Sequence, residues 1–412
     1  MKKKIAFIII RYGAGVNGGA EVHCRMLAER LVPYYDVEVL TTTTRIFNKP
    51  EADFSEGTSI ENGVTVRRFR PHPIDGEQHR QLGRKCRTAR RVRRHLDKIR
   101  LLGALSSLHS EWRMSTAAER RFFESQPDHT PEMLHFIGQH QEEYAALLFM
   151  NFYFSQTVLG SVIAPQKTIL IPLVHPDKCL YWALNAPMFT RVRHIAFNTE
   201  AERRTARRIF GSSLAPNSLV GCGIEQAPAA DWTEVKARYG LPERYVLYLG
   251  RVTHSKLNDL IPYFLDYCRR YGSDTKLVLT GGIDPQMSGE SHPEVLCTGF
   301  VSDAEKAAII RHAAVMVNPS HLESLSLLML EAMDNRIPAL VNGRSRVMKD
   351  HCMQSGAALW YDTEKEFRQR LHRLLTDERF RTEIGNRGPA YVRAHYAWEI
   401  VIPALRRLIE EI

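Results

Sequence analysis

The sequence predicts an α/β protein of two doubly wound, Rossmann-like domains, and three observations carry that expectation. Its 412 residues, 44% of them hydrophobic, suffice for two domains with cores of their own. In both halves short apolar runs alternate with stretches of helical periodicity, the rhythm of a parallel sheet covered by helices. Between the halves, Ser218-Leu-Val-Gly-Cys-Gly223 carries two glycines and suits a hinge.

Taken in order, Met1-Lys-Lys-Lys-Ile-Ala-Phe-Ile-Ile-Ile10 briefly imitates a signal peptide. Its apolar run stops at Arg11, too short for an h-region, and reads better as a first buried parallel strand. Gly13-x-Gly15-x-x-Gly18 formally matches a dinucleotide fingerprint, but the next strand, Val37–Leu40, ends in Thr41–Thr44 without the acidic residue that would hold a ribose. The more informative feature is Gly18-Gly19 directly before an amphipathic helix that runs to about Leu31. Val64–Phe69 alternates as a strand after the turn Glu61-Asn-Gly63. The stretch from Glu111 to about Glu143 is helical but irregular and receives no assignment. Ala146–Phe152 reads as a strand followed by a helix to Val162, and Thr168–Val174 as another strand ending in His175-Pro-Asp177. A histidine there sits where open α/β sheets bind ligands. His194–Thr199 and the helix from Glu200 close the first domain.

Charge is unevenly spread. Of the formal net charge of +10, nearly all falls between residues 80 and 100, where ten Lys and Arg, among them Arg84, Lys85, Arg87, Arg91 and Arg94, face Asp97 alone. Leu82, Cys86, Ala89, Val92, Leu96 and Ile99 recur there at helical spacing, so an amphipathic helix with a cationic face is expected. Three readings stay open: a solvated face, an anionic membrane surface, or a polyphosphate or nucleic-acid grip. The last lacks the aromatic residues that would stack on bases. Seven cysteines without a CxxC pair point to reduced thiols and a cytoplasmic chain. No stretch approaches the roughly 18 apolar residues of a membrane span, and no HExxH-type metal spacing occurs.

In the second half, strands are expected at 245–249, 276–280, 294–299, 313–318, 337–342 and 357–360. The first ends in Gly250-Arg251-Val-Thr-His-Ser-Lys256, two cations on a loop at a strand's carboxyl end, suited to a diphosphate. After the fourth comes Glu323-Ser-Leu-Ser-Leu-Leu-Met-Leu-Glu331, read as one core helix. Eight residues turn about two and a quarter times, so Glu323 and Glu331 would face roughly one side, with the free N–H groups of Ser324, Leu325 and Ser326 at its start as an anion site. Such a face suits a sugar, a diphosphate and a ribose, although a core helix with one internally bridged Glu has the same spacing.

Asn318-Pro-Ser-His-Leu-Glu-Ser-Leu-Ser-Leu-Leu-Met-Leu-Glu-Ala-Met333 resembles the Glu-x7-Glu signature of retaining glycosyltransferases of family 4, which have the GT-B fold. The resemblance covers nearly the whole chain, most closely over the first 45 residues and from about Tyr245 to Trp360. It implies two Rossmann-like domains facing across a cleft: an acceptor-side domain, 1–220, to which 397–412 cross back, and a nucleotide-sugar domain, 221–396. It further implies sugar transfer with retention from a UDP-, GDP- or similar donor to a glycan or lipid-linked acceptor, with no cofactor and no metal. On the matching residues, Arg251 and Lys256 would stabilise the leaving diphosphate, Glu323 hold donor-sugar hydroxyls and Glu331 the ribose. Gly18, Gly19 and His175 would serve from the first domain, and Gly281 and Val301 would lie in loops flanking the base. Three departures stand out: Pro176 between His175 and Asp177, Leu257 in place of a glycine, and Ser324 where many members have Gly or Phe. Lipid-linked acceptors in the resembled family favour the membrane reading of the basic segment, at the inner face of the cell membrane. A nucleotide-sugar epimerase or phosphorylase on the same fold, or a basic membrane- or nucleic-acid-binding protein with an idle scaffold, remain as alternatives.

Overall fold

A computed structural model describes residues 2–47, 49–72, 75–287 and 292–412. The chain divides into two compact units, Met1–Cys222 with Val401–Ile412, and Gly223–Ile400.

In the first unit, among the described residues, β1 (Lys4–Ile8), β2 (Asp36–Thr42), β3 (Gly57–Glu61), β4 (Val64–Phe69), β5 (Ala146–Met150), β6 (Thr168–Ile171), β7 (His194–Phe197) and β8 (Asn217–Leu219) form one sheet in the order β3-β4-β2-β1-β5-β6-β7-β8. Every pairing is parallel except β3 with β4. Strands such as β1 and β5 are apolar on both faces because helices cover both sides of a parallel sheet. The hairpin partner β3 was not foreseen: it is largely exposed and lacks an apolar alternation. Its turn is built on Asn62 and Gly63, both at positive φ, which matches the twist of a tight hairpin.

The C-terminal helix Trp398–Glu410 lays Val401, Leu405 and Leu408 inward. Glu410 accepts hydrogen bonds from Lys3 Nζ at 2.8 Å and Tyr35 Oη at 2.7 Å, so the tail returns to the first unit as the fold class requires.

In the second unit β9 (Tyr245–Leu249), β10 (Lys276–Thr280), β11 (Val295–Gly299), β12 (Val315–Asn318), β13 (Ala339–Asn342) and β14 (Ala358–Tyr361) form an all-parallel sheet in the order β11-β10-β9-β12-β13-β14. Here the chain runs outward from β9 to β11, then restarts at β12 on the other side of β9. The crevice of such a sheet opens at that switch point, outside the carboxyl ends of the two adjacent strands.

One expectation is corrected here. The basic segment is two helices, Gly76–Lys85 and Arg87–Lys98, broken at Cys86. Its buried stripe is Leu82, Cys86, Ala89, Arg93 and Asp97, whereas Val92 (42% exposed) and Ile99 (49%) face solvent. Polar side chains occupy the inner face because partners await them there. Arg93 donates to Glu119 at 2.9 Å and to the Tyr181 carbonyl at 2.7 Å, and Asp97 accepts from Tyr181 Oη at 2.6 Å. The unassigned stretch resolves into helices Thr116–Glu124 and Pro131–His140, the first of which supplies that buried Glu119.

Candidate functional site

The loops after β9 and β12 flank the switch point, and they carry Arg251, Lys256 and Glu323. Arg251 is exposed just beyond β9. Lys256 lies not on an open loop but in a single helical turn, His254–Leu257, capped by the Thr253 hydroxyl, which accepts from the Lys256 N–H at 3.2 Å. That cap fixes the lysine stem. Its Nζ reaches Glu323 Oε1 at 3.3 Å, so residues 67 apart in sequence meet. Tyr248 is beside them: its hydroxyl donates to the Arg251 carbonyl at 2.8 Å. Burial pushes the Tyr248 phenol upward, the Glu323 carboxylate adds to this and Arg251 opposes it.

The helix expected to hold both glutamates is shorter than predicted. It runs Leu327–Asp334, and Ser326 before it adopts φ 65°, ψ 61°, a left-handed conformation through which no right-handed helix propagates. Glu323, Ser324 and Leu325 therefore sit in the preceding loop, so Glu323 and Glu331 are not two and a quarter turns apart on one helix. The physical reason lies in competing hydrogen bonds. Asn318 Nδ2 donates to Ser326 Oγ at 3.1 Å, and the buried His351 bridges the Leu325 carbonyl (3.0 Å) and Tyr391 Oη (2.8 Å). Serine, a better cap than an interior helix residue, yields readily to such ties. The helix's own unsatisfied N–H groups are consequently those of Leu327 and Leu328 rather than 324–326.

Glu331 does lie in the helix, with its side chain about one-fifth exposed. Its partner is Lys306 Nζ, 3.0 Å away, on the helix Asp303–His312 that follows β11. Burial raises the Glu331 pKa while Lys306 pulls it down. Burial alone would lower Lys306, but the Glu331 and Asp303 carboxylates outweigh it. The pair holds one carboxylate edge still and leaves acceptor capacity for hydroxyl groups.

The remaining second-unit positions are explained in part by packing. Gly281 adopts φ +142°, and a Cβ there would stand 2.1 Å from the Gly250 carbonyl oxygen, so backbone contact alone demands glycine. Val301 is half-buried and precedes Ser302, whose hydroxyl caps the Lys306 helix.

In the first unit, the sheet's own switch point lies between β1 and β5. Gly18 is the N-cap of the helix Gly19–Leu31, and a Cβ on it would run into the Glu21 carboxylate at 2.0 Å. Gly19 is exposed, with open space where a Cβ would be. Glu21 itself is paired with Arg11 at 2.6 Å. β6 stops at Ile171, short of the expected Val174, because Leu173 turns to φ 55°. His175 follows in the loop, its Nδ1 3.3 Å from the Leu173 carbonyl and its ring edge-on to Phe152. The Asp177 carboxylate accepts from the Cys179 N–H at 2.7 Å as a helix cap. Arg84, Lys85, Arg87, Arg91 and Arg94 are all exposed on the two basic helices.

Sequence reasoning missed Lys306, Tyr248, Asn318 and His351. Their positions carry no local pattern; Lys306 is 25 residues from Glu331, and only the order of strands brings them together. His351 offers a direct check. Complete burial lowers its pKa to about 4. The folded value lies below the ordinary 6.5, so the unfolded chain binds the extra proton between pH 6.5 and 4, and stability falls as pH falls through that window. His351→Gln keeps a donor for Leu325 but cannot titrate. Denaturant unfolding should show the wild type losing about 3 kcal/mol relative to this variant between pH 7 and 4; parallel curves would mean that His351 titrates normally.

A separate cavity of about 900 Å³ is lined by Ile261, Leu265, Cys268, Arg269 and Met287, among others, and includes none of Arg251, Lys256, Glu323 or Glu331.

Comparison with known proteins gives the arrangement its class. Residues 243–377 match the family described as Glycosyl transferases group 1. The chain is 26% identical over 336 residues to the D-inositol 3-phosphate glycosyltransferase of Kineococcus radiotolerans, covering 68% of this chain and 76% of that protein. Among solved structures it is similar to sucrose-phosphate synthase from Thermosynechococcus elongatus (TM-score 0.69, 16% identity, 100% of this chain and 99% of the other). It is also similar to Anabaena HepE in complex with UDP-glucose (TM-score 0.68, 13% identity, 100% of each chain). The fold is GT-B, and the protein is a glycosyltransferase.

Proposed function

We propose that the protein transfers a sugar from a nucleotide-sugar donor to a glycan or lipid-linked acceptor with retention of anomeric configuration. The observation that carries this reading is the meeting of Lys256 and Glu323 at the switch point of the second sheet, with Arg251 on the loop that leads into the lysine's helical turn. A departing diphosphate needs its charge neutralised most at the moment the glycosidic bond breaks, and a preorganised cation acts there without reorganising. Arg251 and Lys256 supply that charge, helped by the N–H groups that open the Leu327–Asp334 helix. Glu323, steered by Lys256, accepts hydrogen bonds from donor-sugar hydroxyls, and Glu331, held by Lys306, takes the ribose. Gly281 and Val301 border the base. Gly18, Gly19 and His175 serve from the first unit. In a front-face displacement the leaving phosphate oxygen takes the acceptor proton, so neither a general base nor a metal is assigned. The UDP-glucose bound to HepE supports a uridine donor as the first candidate, with GDP-sugars next.

Among the described residues no helix is long and apolar enough to cross a membrane. The reading places the enzyme in the cytoplasm with its basic helices toward the inner face of the cell membrane, where lipid-linked acceptors reside.

Calorimetric titration with UDP, GDP, ADP and dTDP tests the donor half of the proposal. One diphosphate is expected to bind, and Arg251→Ala to weaken it at least ten-fold. Absence of any binding would turn the reading toward a basic scaffold with an idle sheet.

A further inference from the structure

Helix Arg87–Lys98 continues, after a left-handed turn at Arg100, into helix Leu102–Leu108, and the two pack together. The second helix is anchored on its inner side by Leu102 and Ser106, and by Gly103, where a Cβ would strike the Arg208 carbonyl at 2.5 Å. Its outer side is apolar. Leu101, Leu105 and Leu108 are 50%, 45% and 76% exposed. At about 100° per residue they fall within roughly 60° of one another. Ile99, half-exposed, stands immediately before them. On the preceding helix Arg87, Arg91, Arg94 and Lys98 also fall within roughly 60°, and all four are exposed. Between Gln78 and Ser110 the sole acidic residue is Asp97, which is buried against Tyr181 and Arg208. An exposed leucine stripe thus follows directly, in the chain, on an exposed cationic helix face.

We infer that this pair of helices is a membrane-seating device in which Ile99, Leu101, Leu105 and Leu108 enter the acyl boundary of an anionic leaflet while the Arg87–Lys98 face lies against the headgroups. The inference rests on the membrane-facing reading above and deepens it: attachment is by insertion, and its centre moves from the arginines of 84–94 to Leu101, Leu105 and Leu108. Other occupants fit less well. A second copy docking by the same patch would set cations against cations. Nucleic acid would satisfy the arginines but leave leucines, which offer no stacking surface, unused. An anionic bilayer answers both features at once.

The test is co-sedimentation of the full chain with vesicles of phosphatidylcholine containing 40% phosphatidylglycerol, and with phosphatidylcholine alone, at 0.1 M and 0.5 M NaCl. The wild type is expected to bind anionic vesicles and to keep a salt-resistant fraction, since screening weakens charge contacts but not inserted side chains. Replacing Leu101, Leu105 and Leu108 together by serine should remove that fraction and lower binding at 0.1 M NaCl at least ten-fold. These side chains point to solvent, so thermal unfolding should barely move. Arg91→Gln and Arg94→Gln should each weaken binding about five-fold at low salt, the effect of one cation near an anionic leaflet. Serine variants that bind like the wild type, or wild-type binding abolished outright by salt, would overturn insertion. A wild-type dimer made monomeric by the same serines would assign the stripe to a second copy instead. UDP titration on the triple variant separates the two proposals. Retained nucleotide binding with lost sedimentation supports the seat alone, and vesicle binding without nucleotide binding overturns only the donor assignment.

Discussion

Glu323→Ala is expected to lose sugar transfer by about a thousand-fold or more, about 4 kcal/mol at the transition state, while the protein stays folded. The two halves of that expectation have separate grounds. Lys256 and Glu323 form a pair at 3.3 Å in which the lysine side chain is about one-third exposed, so its contribution to stability is at most about 1 kcal/mol. Neither residue belongs to the buried core on which the sheet rests. Activity is a different matter: in the proposed function Glu323 receives donor-sugar hydroxyls, and hydrogen bonds that tighten as the ring flattens would be lost outright. Binding of the free nucleoside diphosphate, which lacks the sugar, should survive. Steady-state kinetics with calorimetry on one preparation checks both, and unchanged turnover would remove Glu323 from the site.

Lys256→Ala should behave otherwise, weakening diphosphate binding and lowering kcat together, with a transition-state cost of about 3 kcal/mol by comparison with the loss of one oxyanion donor. The larger share should fall on kcat, since charge on the phosphate grows as the bond breaks. Lys256→Arg keeps the charge but not the compact reach of an ammonium, and should recover part of the loss. A wild-type rate in Lys256→Ala would mean that the diphosphate lies elsewhere.

Under the proposed function the two substitutions test a sugar-binding half and a phosphate-binding half of the pair. The cations at the carboxyl end of β9 were legible in the residue types as suited to a diphosphate, whereas the sugar role of Glu323 is implied by the family resemblance. The meeting of Lys256 with Glu323 was not legible. Residues 251–256 and 318–326 approach because β9 and β12 are neighbours, and the order of parallel strands leaves no trace in local sequence. The geometry first drawn for Glu323 failed for a related reason. Helical periodicity continues through Ser324–Ser326, but Asn318 and His351 hold those residues in another conformation from a distance.

The sequence by itself determined the strand-and-helix rhythm, the glycine-bearing boundary near Gly223, and the identity of the charged groups at strand ends. Those follow from periodicity, backbone freedom and charge, which are local properties. Tertiary structure alone decided that Glu331 answers to Lys306, that Arg93 and Asp97 are inside while Val92 and Ile99 are outside, and that Leu101, Leu105 and Leu108 face solvent. The physical reason is shared: burial depends on what stands opposite. A buried guanidinium is tolerated where Glu119 and the Tyr181 carbonyl receive it, and an aliphatic side chain stays exposed where nothing in the chain covers it.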